Sequence, residues 1–172
     1  AQRVILGLQR MEKPVIAMIN GTAVGAGLDI ACACDIRIAS PRARFMVAYI
    51  RIGLFPGYGG TWLYPRALGS VPKAAELLFT GDFMEAEEAH RIGLLNHLVP
   101  SDQLMTKAME LATQIAANDP RMVQGIKRLM IQDVGAGWEQ MLTNEQDAQK
   151  GELQPTSVEE GFQQFLERKG RR

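Results

Sequence analysis

The stretch Asn20-Gly21-Thr22-Ala23-Val24-Gly25-Ala26-Gly27-Leu28-Asp29-Ile30 constrains the fold more than any other part of the chain. It follows a short apolar run, Pro14-Val15-Ile16-Ala17-Met18-Ile19, and leads into Ala31-Cys32-Ala33-Cys34-Asp35. A β-type run, a turn with three glycines and a small-residue segment predict strand, loop and helix in that order. Glycines in such a turn let the backbone come close to a ligand. A helix starting near Ala26 aims the free N–H groups of its first turn at whatever lies in front of it. Asp29 is the first acid on that helix. It reads equally as an acid facing a ligand and as a first-turn acid favoured only by the helix dipole.

The rest of the chain is read outward from this unit. Residues 36–39 predict a second short strand, parallel to the first with a right-handed crossover, and Ser40-Pro41 a turn. Phe45-Met46-Val47-Ala48 predicts a third strand. A second glycine-rich loop, 53–60, delivers the chain into a helix over 61–68 that Gly69 ends. From Pro72 the pattern is almost wholly helical. One helix carries Ala74, Ala75, Leu77 and Leu78 and stops at Gly81; a short one over 85–91 stops at Gly93; residues 94–99 form a short β-type run. Ser101 is the predicted N-cap of a long helix with Leu104, Ala108, Leu111, Ala112 and Ile115 on one face, broken by Asn118-Asp119-Pro120. Two helices follow, one with Val123, Ile126, Leu129 and Met130, the other with Trp138, Met141 and Leu142. The last carries a capping-box spacing at 157–160 and presents Phe162, Phe165 and Leu166.

The chain opens in the middle of a helical pattern, with Val4, Ile5 and Leu8 as its apolar face and no cap before them, like the interior of a longer protein. Its 172 residues suffice for one domain with a sizeable core. Lys plus Arg and Asp plus Glu are 19 each, so no net charge attracts a nucleic acid. Cys32 and Cys34 sit two apart in a predicted buried helix and point away from each other, as small core residues rather than a disulfide. No apolar run approaches the roughly 20 residues needed to span a bilayer, and there is no signal-peptide pattern. A cytoplasmic protein without membrane partner is expected.

Few residues offer chemistry. The two histidines, His90 and His97, have no ligand-spaced partner, so no metal site is expected. There is no nucleophile elbow and no Walker loop, and Gly57-Tyr58-Gly59-Gly60 alone is a weak phosphate signal. What remains is a site made of backbone. Two N–H donors aimed at a carbonyl oxygen stabilise an oxyanion or enolate, and losing one typically costs ~3–4 kcal/mol. The helix opening at Ala26 supplies one donor.

At this point the run from Pro14 to Asp35, ending in Ala33-Cys34-Asp35-Ile36-Arg37-Ile38-Ala39, resembles the crotonase (enoyl-CoA hydratase/isomerase) superfamily. So do Arg51-Ile52-Gly53-Leu54-Phe55-Pro56-Gly57-Tyr58-Gly59-Gly60-Thr61, Leu63-Tyr64-Pro65-Arg66, Ala74 to Gly81, Glu87 to Leu94, Val99-Pro100 and the terminal Glu160-Gly161-Phe162 to Lys169. The resemblance runs in order over nearly the whole chain. It implies an α/β fold, a crotonase-like spiral of ββα units with a C-terminal helical oligomerisation region. Residues 1–118 are then the C-terminal portion of the core, and 119–172 a helical trimerisation region. The implied partners are an acyl-CoA thioester and further copies of the chain, as a trimer or dimer of trimers. No metal or redox cofactor is implied, coenzyme A being part of the substrate.

Carried over residue by residue, Ala26 takes the place of one oxyanion-hole N–H, normally a glycine. Asp29 stands where hydratases carry their first catalytic glutamate and Tyr49 where they carry the second. Val24, Gly25, Phe55, Pro56 and Gly57 are placed against the substrate, and Arg168 with Lys169 at a CoA phosphate of an adjacent subunit. The second oxyanion donor and much of the CoA wall belong to a family segment that precedes residue 1. The departures matter. Syn addition of water uses two carboxylates, one as base and one as acid. Here only Asp29 ionises near neutral pH, because a tyrosine with a pKa of roughly 10 does not replace a carboxylate. Asp29 is also one methylene shorter than glutamate, and a misplacement of about 1 Å can cost ~100-fold. Family dehalogenases carry an aspartate nucleophile where Gly57 stands, which argues against that chemistry. The expectation is an acyl-CoA-processing enzyme that stabilises a thioester enolate, with isomerase-type proton transfer favoured over standard hydration. The alternative is a non-catalytic acyl-CoA-binding or assembly member. Read from local sequence alone, Tyr49 is a packing residue or pocket wall, Asp35 a turn acceptor, Trp62 and Trp138 packing residues, and Arg168 with Lys169 a solvated helix end.

Overall fold

The structure, a computed structural model, describes residues 2–54, 56–132 and 147. The expectations for Phe55, Trp138, Met141, Leu142, the 157–160 capping box, Phe162, Phe165, Leu166, Arg168 and Lys169 lie outside the described residues. The chain divides into two units, at Ala117 and Asn118.

In the first unit, helix α1 (Gln2–Arg10) precedes β1 (Ile16–Ile19), a two-residue strand β2 (Ala23–Val24), and helix α2 (Ala26–Ala33). β3 (Ile36–Ala39) returns beside β1 and pairs with it in parallel, Ile16 opposite Ile36 and Ile19 opposite Ala39. β6 (His97–Leu98) adds in parallel to the other side of β3. A second sheet has β4 (Arg44–Met46) between β2, parallel, and β5 (Phe83–Glu85), antiparallel. Helices α3 (Gly60–Leu68), α4 (Val71–Thr80), α5 (Ala86–Arg91) and α6 (Leu104–Ala116) complete the unit.

Period-two alternation lets β3 serve two cores. Ala39 joins the main core with Ile19, Leu28, Phe45, Val47, Leu63 and Tyr64. Ile38, one residue earlier, faces the other way onto Leu104 and Ala108 of α6, and Ile16 of β1 packs there too. Parallel strands covered on both faces read as the continuous apolar runs seen in the sequence. Full burial of Ile38 is worth about 1.5–3 kcal/mol. The turns at the strand ends are stitched by main chain and by one acid: the Asp35 carboxylate accepts from Val15 N–H at 2.7 Å, which is the turn acceptor expected of it.

Several local expectations are corrected. The third strand ends at Met46, because residues 48–52 wind into a 3₁₀ turn that takes Ala48 and Tyr49 out of the sheet. Strands β2 and β5 were not foreseen; at two and three residues they are too short for any periodicity to register. Ser101 caps nothing: it opens a 3₁₀ turn, Ser101–Gln103, and α6 starts at Leu104 without a side-chain cap. Cys32 is buried within α2, but Cys34 lies just past its end; neither is in a disulfide. On α1, Ile5 is buried whereas Val4 is exposed. Trp62 is partly exposed, its ring covered by the Arg66 guanidinium at 4.0 Å.

In the second unit the described part is helix α7 (Pro120–Gln132). The expected break at Asn118-Asp119-Pro120 falls just after the end of α6, and Asp119 starts α7, its carboxylate accepting from Arg121 N–H at 2.8 Å. Ile126 and Met130, expected on the apolar face, are exposed, and Lys127 is buried.

Candidate active site

The turn before α2 is shaped by one residue. Gly25 has φ 52° and ψ −117°, a conformation closed to side chains with a Cβ. Its N–H donates to Met46 O at 2.9 Å, which ties the turn to β4, and its carbonyl accepts from Asp29 N–H at 3.0 Å. No side chain caps α2. The N–H groups of Ala26, Gly27 and Leu28 lie in the first turn, where there is no intrahelical acceptor, and among the described residues no side chain accepts from them; Ala26 is half-buried at the mouth of the turn.

Asp29, one turn further on, points inward and is fully buried. Both of its oxygens accept phenol hydrogen bonds. Tyr49 donates to Oδ2 at 2.5 Å from the 3₁₀ turn, and Tyr64 donates to Oδ1 from α3. The first residue of α3 closes on the same carboxyl group: a Cβ built on Gly60 would lie 2.8 Å from Asp29 Oδ1 and 2.7 Å from Tyr64 Cε2. The carboxyl group thus sits against the opening turn of α3, where the helix dipole favours negative charge. Burial, then the hydrogen bond to Asp29, then its charge push both phenols well above the ordinary tyrosine range, and Tyr58 adds a smaller push at Tyr49. Both hydroxyls keep their protons throughout the neutral range. Behind this pair, burial raises the Cys32 thiol to about 12.

Of the residues singled out in the sequence, Gly25, Ala26, Asp29 and Tyr49 come together. The Tyr49 Cζ lies 3.6 Å from where a Cβ on Gly25 would stand, so the phenol borders the α2 turn on one side and Asp29 on the other. Pro56 approaches the start of α3, its Cβ 3.1 Å from the Cβ position on Gly60. Val24 and Gly57 are exposed. Phe55 and Arg168 lie outside the described residues. Sequence reasoning missed Tyr64 and the closeness of Gly60. Their spacing of four on one helix is a signal only once α3 is known to start at Gly60. A cleft of about 430 Å³ opens between α1 and α3, lined by Ile5, Leu6, Tyr58, Trp62 and Leu63 and bordered by Gly59. Among the described residues no group of three or more His, Cys, Asp and Glu is placed to hold a metal ion, and no helix is long and apolar enough to cross a membrane.

Two small sheets fed by short ββα steps, with an uncapped helix start presented after a glycine turn, define a crotonase-like fold. The chain belongs to the enoyl-CoA hydratase/isomerase family, whose model matches residues 2–171. It is 44% identical over 136 residues to the short-chain-enoyl-CoA hydratase of Clostridium acetobutylicum, covering 77% of this chain and 52% of that protein. The crystal structure of an enoyl-CoA hydratase from Bacillus anthracis superimposes with a TM-score of 0.91 at 35% identity, over 97% of this chain and 64% of that one. A Thermobifida fusca structure solved in complex with acetoacetyl-CoA gives a TM-score of 0.79 at 30% identity, over 84% of this chain and 56% of that one. The chain spans between about half and two-thirds of the length of these relatives.

Proposed function

We propose that the protein carrying this chain processes acyl-CoA thioesters through an enolate, moving a proton within the substrate in the manner of an isomerase rather than adding water. The observation that supports this reading is the acid–base pair next to the α2 turn: Tyr49 hydrogen-bonded to Asp29, with no second carboxylate bonded to either among the described residues. The thioester carbonyl is taken to lie in front of Ala26, whose N–H stabilises the oxygen as negative charge develops. Gly25 and Val24 lead the backbone up to that point, and Phe55, Pro56 and Gly57 are assigned to the substrate by their position in the family pattern. The apolar cleft beside Gly59 has room for an acyl group.

Asp29 is buried and Tyr49 half-buried, so the proton path runs through the phenol. The substrate carbon gives its proton to the Tyr49 oxygen as the phenol proton passes to Asp29 Oδ2. The C–H electron pair enters the enolate. The reverse movement delivers a proton from Tyr49 to the far carbon, the double bond shifts, and enzyme and proton count return to their starting state. Water has no carboxylate base of its own in this arrangement, which is why hydration is the disfavoured outcome. No metal or redox cofactor is part of the scheme. Arg168 is assigned to a CoA phosphate of a neighbouring copy in a trimer or dimer of trimers, with 119–172 as its helical contact region; exposed Met105 and Met109 on α6 suit such packing.

The test uses the full encoded protein with paired positional isomers of enoyl-CoA thioesters. Double-bond shift should exceed hydration, and Asp29→Asn and Tyr49→Phe should each lower it about 100-fold or more. Unchanged rates in both variants, or hydration as the faster reaction, would overturn the reading. One observation favours the non-catalytic alternative: Asp29 has both oxygens occupied and no exposure. Tight acyl-CoA binding by calorimetry with no turnover would select it.

A further inference from the structure

We propose that Tyr64 is a positioning residue for Asp29: its phenol occupies Oδ1, so that the proton exchanged with Tyr49 is taken up and returned only at Oδ2. This rests on the isomerase reading above. The two phenols are not equivalent. Tyr49 is half-buried and borders the Gly25 turn, whereas Tyr64 is 1% exposed and inside the main core. Only Tyr49 is open to exchange with a substrate; Tyr64 keeps its proton through the cycle.

The local sequence explains how Tyr64 reaches the carboxyl group. Helical side chains lean toward the N-terminus, over the residue four positions earlier. For Tyr64 that residue is Gly60, and the ring lies where a side chain on Gly60 would stand, 2.7 Å from its Cβ position. The missing Cβ thus admits both the Tyr64 ring and Asp29 Oδ1. Gly60 and Tyr64 form one unit that clamps the carboxyl group from α3. Without the clamp, Oδ1 is an equally good proton acceptor that Tyr49 does not touch, and a proton resting there is lost to the relay. The titratable groups facing Asp29 are Tyr49 from the 3₁₀ turn, Tyr64 from α3 and Cys32 from its own helix.

The experiment follows kcat and KM for the double-bond shift in the full encoded protein. Alongside it, the frequency of the infrared carboxyl band of Asp29, assigned by its loss in Asp29→Asn, is recorded. In Tyr64→Phe, kcat should fall about tenfold with KM kept within about twofold. The carboxyl band should shift in frequency, because one of the two hydrogen bonds to the group is gone. Incorporation of 3-fluorotyrosine at position 64, a stronger donor of nearly the same shape, should shift the band in the opposite sense and keep kcat within about threefold of wild type. That arm also decides the matter if Tyr64→Phe fails to fold. A wild-type enzyme that turns over, with kcat and band unmoved by changes at position 64, overturns the role of Tyr64 and leaves the isomerase reading standing. A wild-type protein with no double-bond shift overturns both.

Discussion

The two glycine-rich turns of this chain look alike in sequence and differ in what their glycines do. In the first, 20–28, the demand is conformational. Gly25 holds a φ of 52° that bends the backbone from β2 into α2, while Gly27 beside it meets nothing within 4 Å. In the second, 53–60, Gly53 and Gly59 also hold positive φ, of 69° and 86°, and Gly60 adds a demand for volume. Gly60 is helical, and its missing side chain is replaced by the Tyr64 ring and the Asp29 carboxyl group. The first turn is open at its front and presents N–H groups outward. The second is closed, and its helix start faces a buried acid. One residue type therefore marks an open backbone edge in one place and a packed interior in the other.

Alkali should break the closed side first, and this is the largest effect expected. Tyr64 and Cys32 are buried with proton affinities raised in the folded state, above ordinary values of 10.0 and 9.0. A group raised on folding contributes stability that is complete below its unfolded value and lost as pH climbs toward its folded value. The unfolded chain releases these protons and the native chain does not. Stability should therefore fall from about pH 9 for Cys32 and pH 10 for Tyr64, by about 1.4 kcal/mol per pH unit for each group. Urea midpoints measured from pH 8 to 11.5 check the slope. Tyr64→Phe should flatten the limb above pH 10, and a curve as steep as wild type would mean the phenol ionises in place.

Gly60→Ala comes next. Its Cβ would meet two buried groups at under 3 Å, with Pro56 Cβ at 3.1 Å, and overpacking of this kind costs about 3 kcal/mol. Gly25→Ala should cost less, about 1–2 kcal/mol, and for a different reason. Its nearest neighbour, Tyr49 Cζ at 3.6 Å, is at ordinary contact distance, so the penalty is backbone strain alone. Thermal melts of the two variants rank them. Equal costs would erase the distinction between conformational and volumetric glycines.

How much of this was readable beforehand follows the same division. The order strand, turn and helix is visible because it rests on local chemistry: apolar runs, small residues and glycines at the stops after α3 and α4. The parallel pairing of β1 with β3 follows from the same unit. The pairings that define the second sheet are two and three residues long and involve segments far apart in sequence, so no local pattern announces them. At the site, Gly25, Ala26 and Asp29 share one helix start and are legible from spacing. Tyr49 was singled out only by family position, and its contact with Asp29 depends on a 3₁₀ turn that follows the β4 run and has no pattern of its own in the sequence. Tyr64 carried no signal, since a buried tyrosine in a helix reads as packing until its hydroxyl is seen to find a carboxylate.

The smallest effect expected is also the most discriminating between structure and function. Gly27 lies in the first turn of α2 with open space where its Cβ would stand. Alanine there removes unfolded-state freedom and favours the helix, so Gly27→Ala should raise stability by about 0.5–1 kcal/mol. If the α2 turn serves only to enter a helix, the variant is simply a better protein. If acyl-CoA thioesters lie against the N–H groups of Ala26 and its neighbours, the added methyl stands at the edge of the space they use. Stability should then rise while affinity for a CoA thioester falls, as happens where a site is kept at the expense of the fold. Melting temperature and calorimetric Kd measured on the same preparation separate the two cases. A gain in both would close the open turn as a binding edge and leave the carboxyl–phenol cluster without a neighbouring oxyanion site.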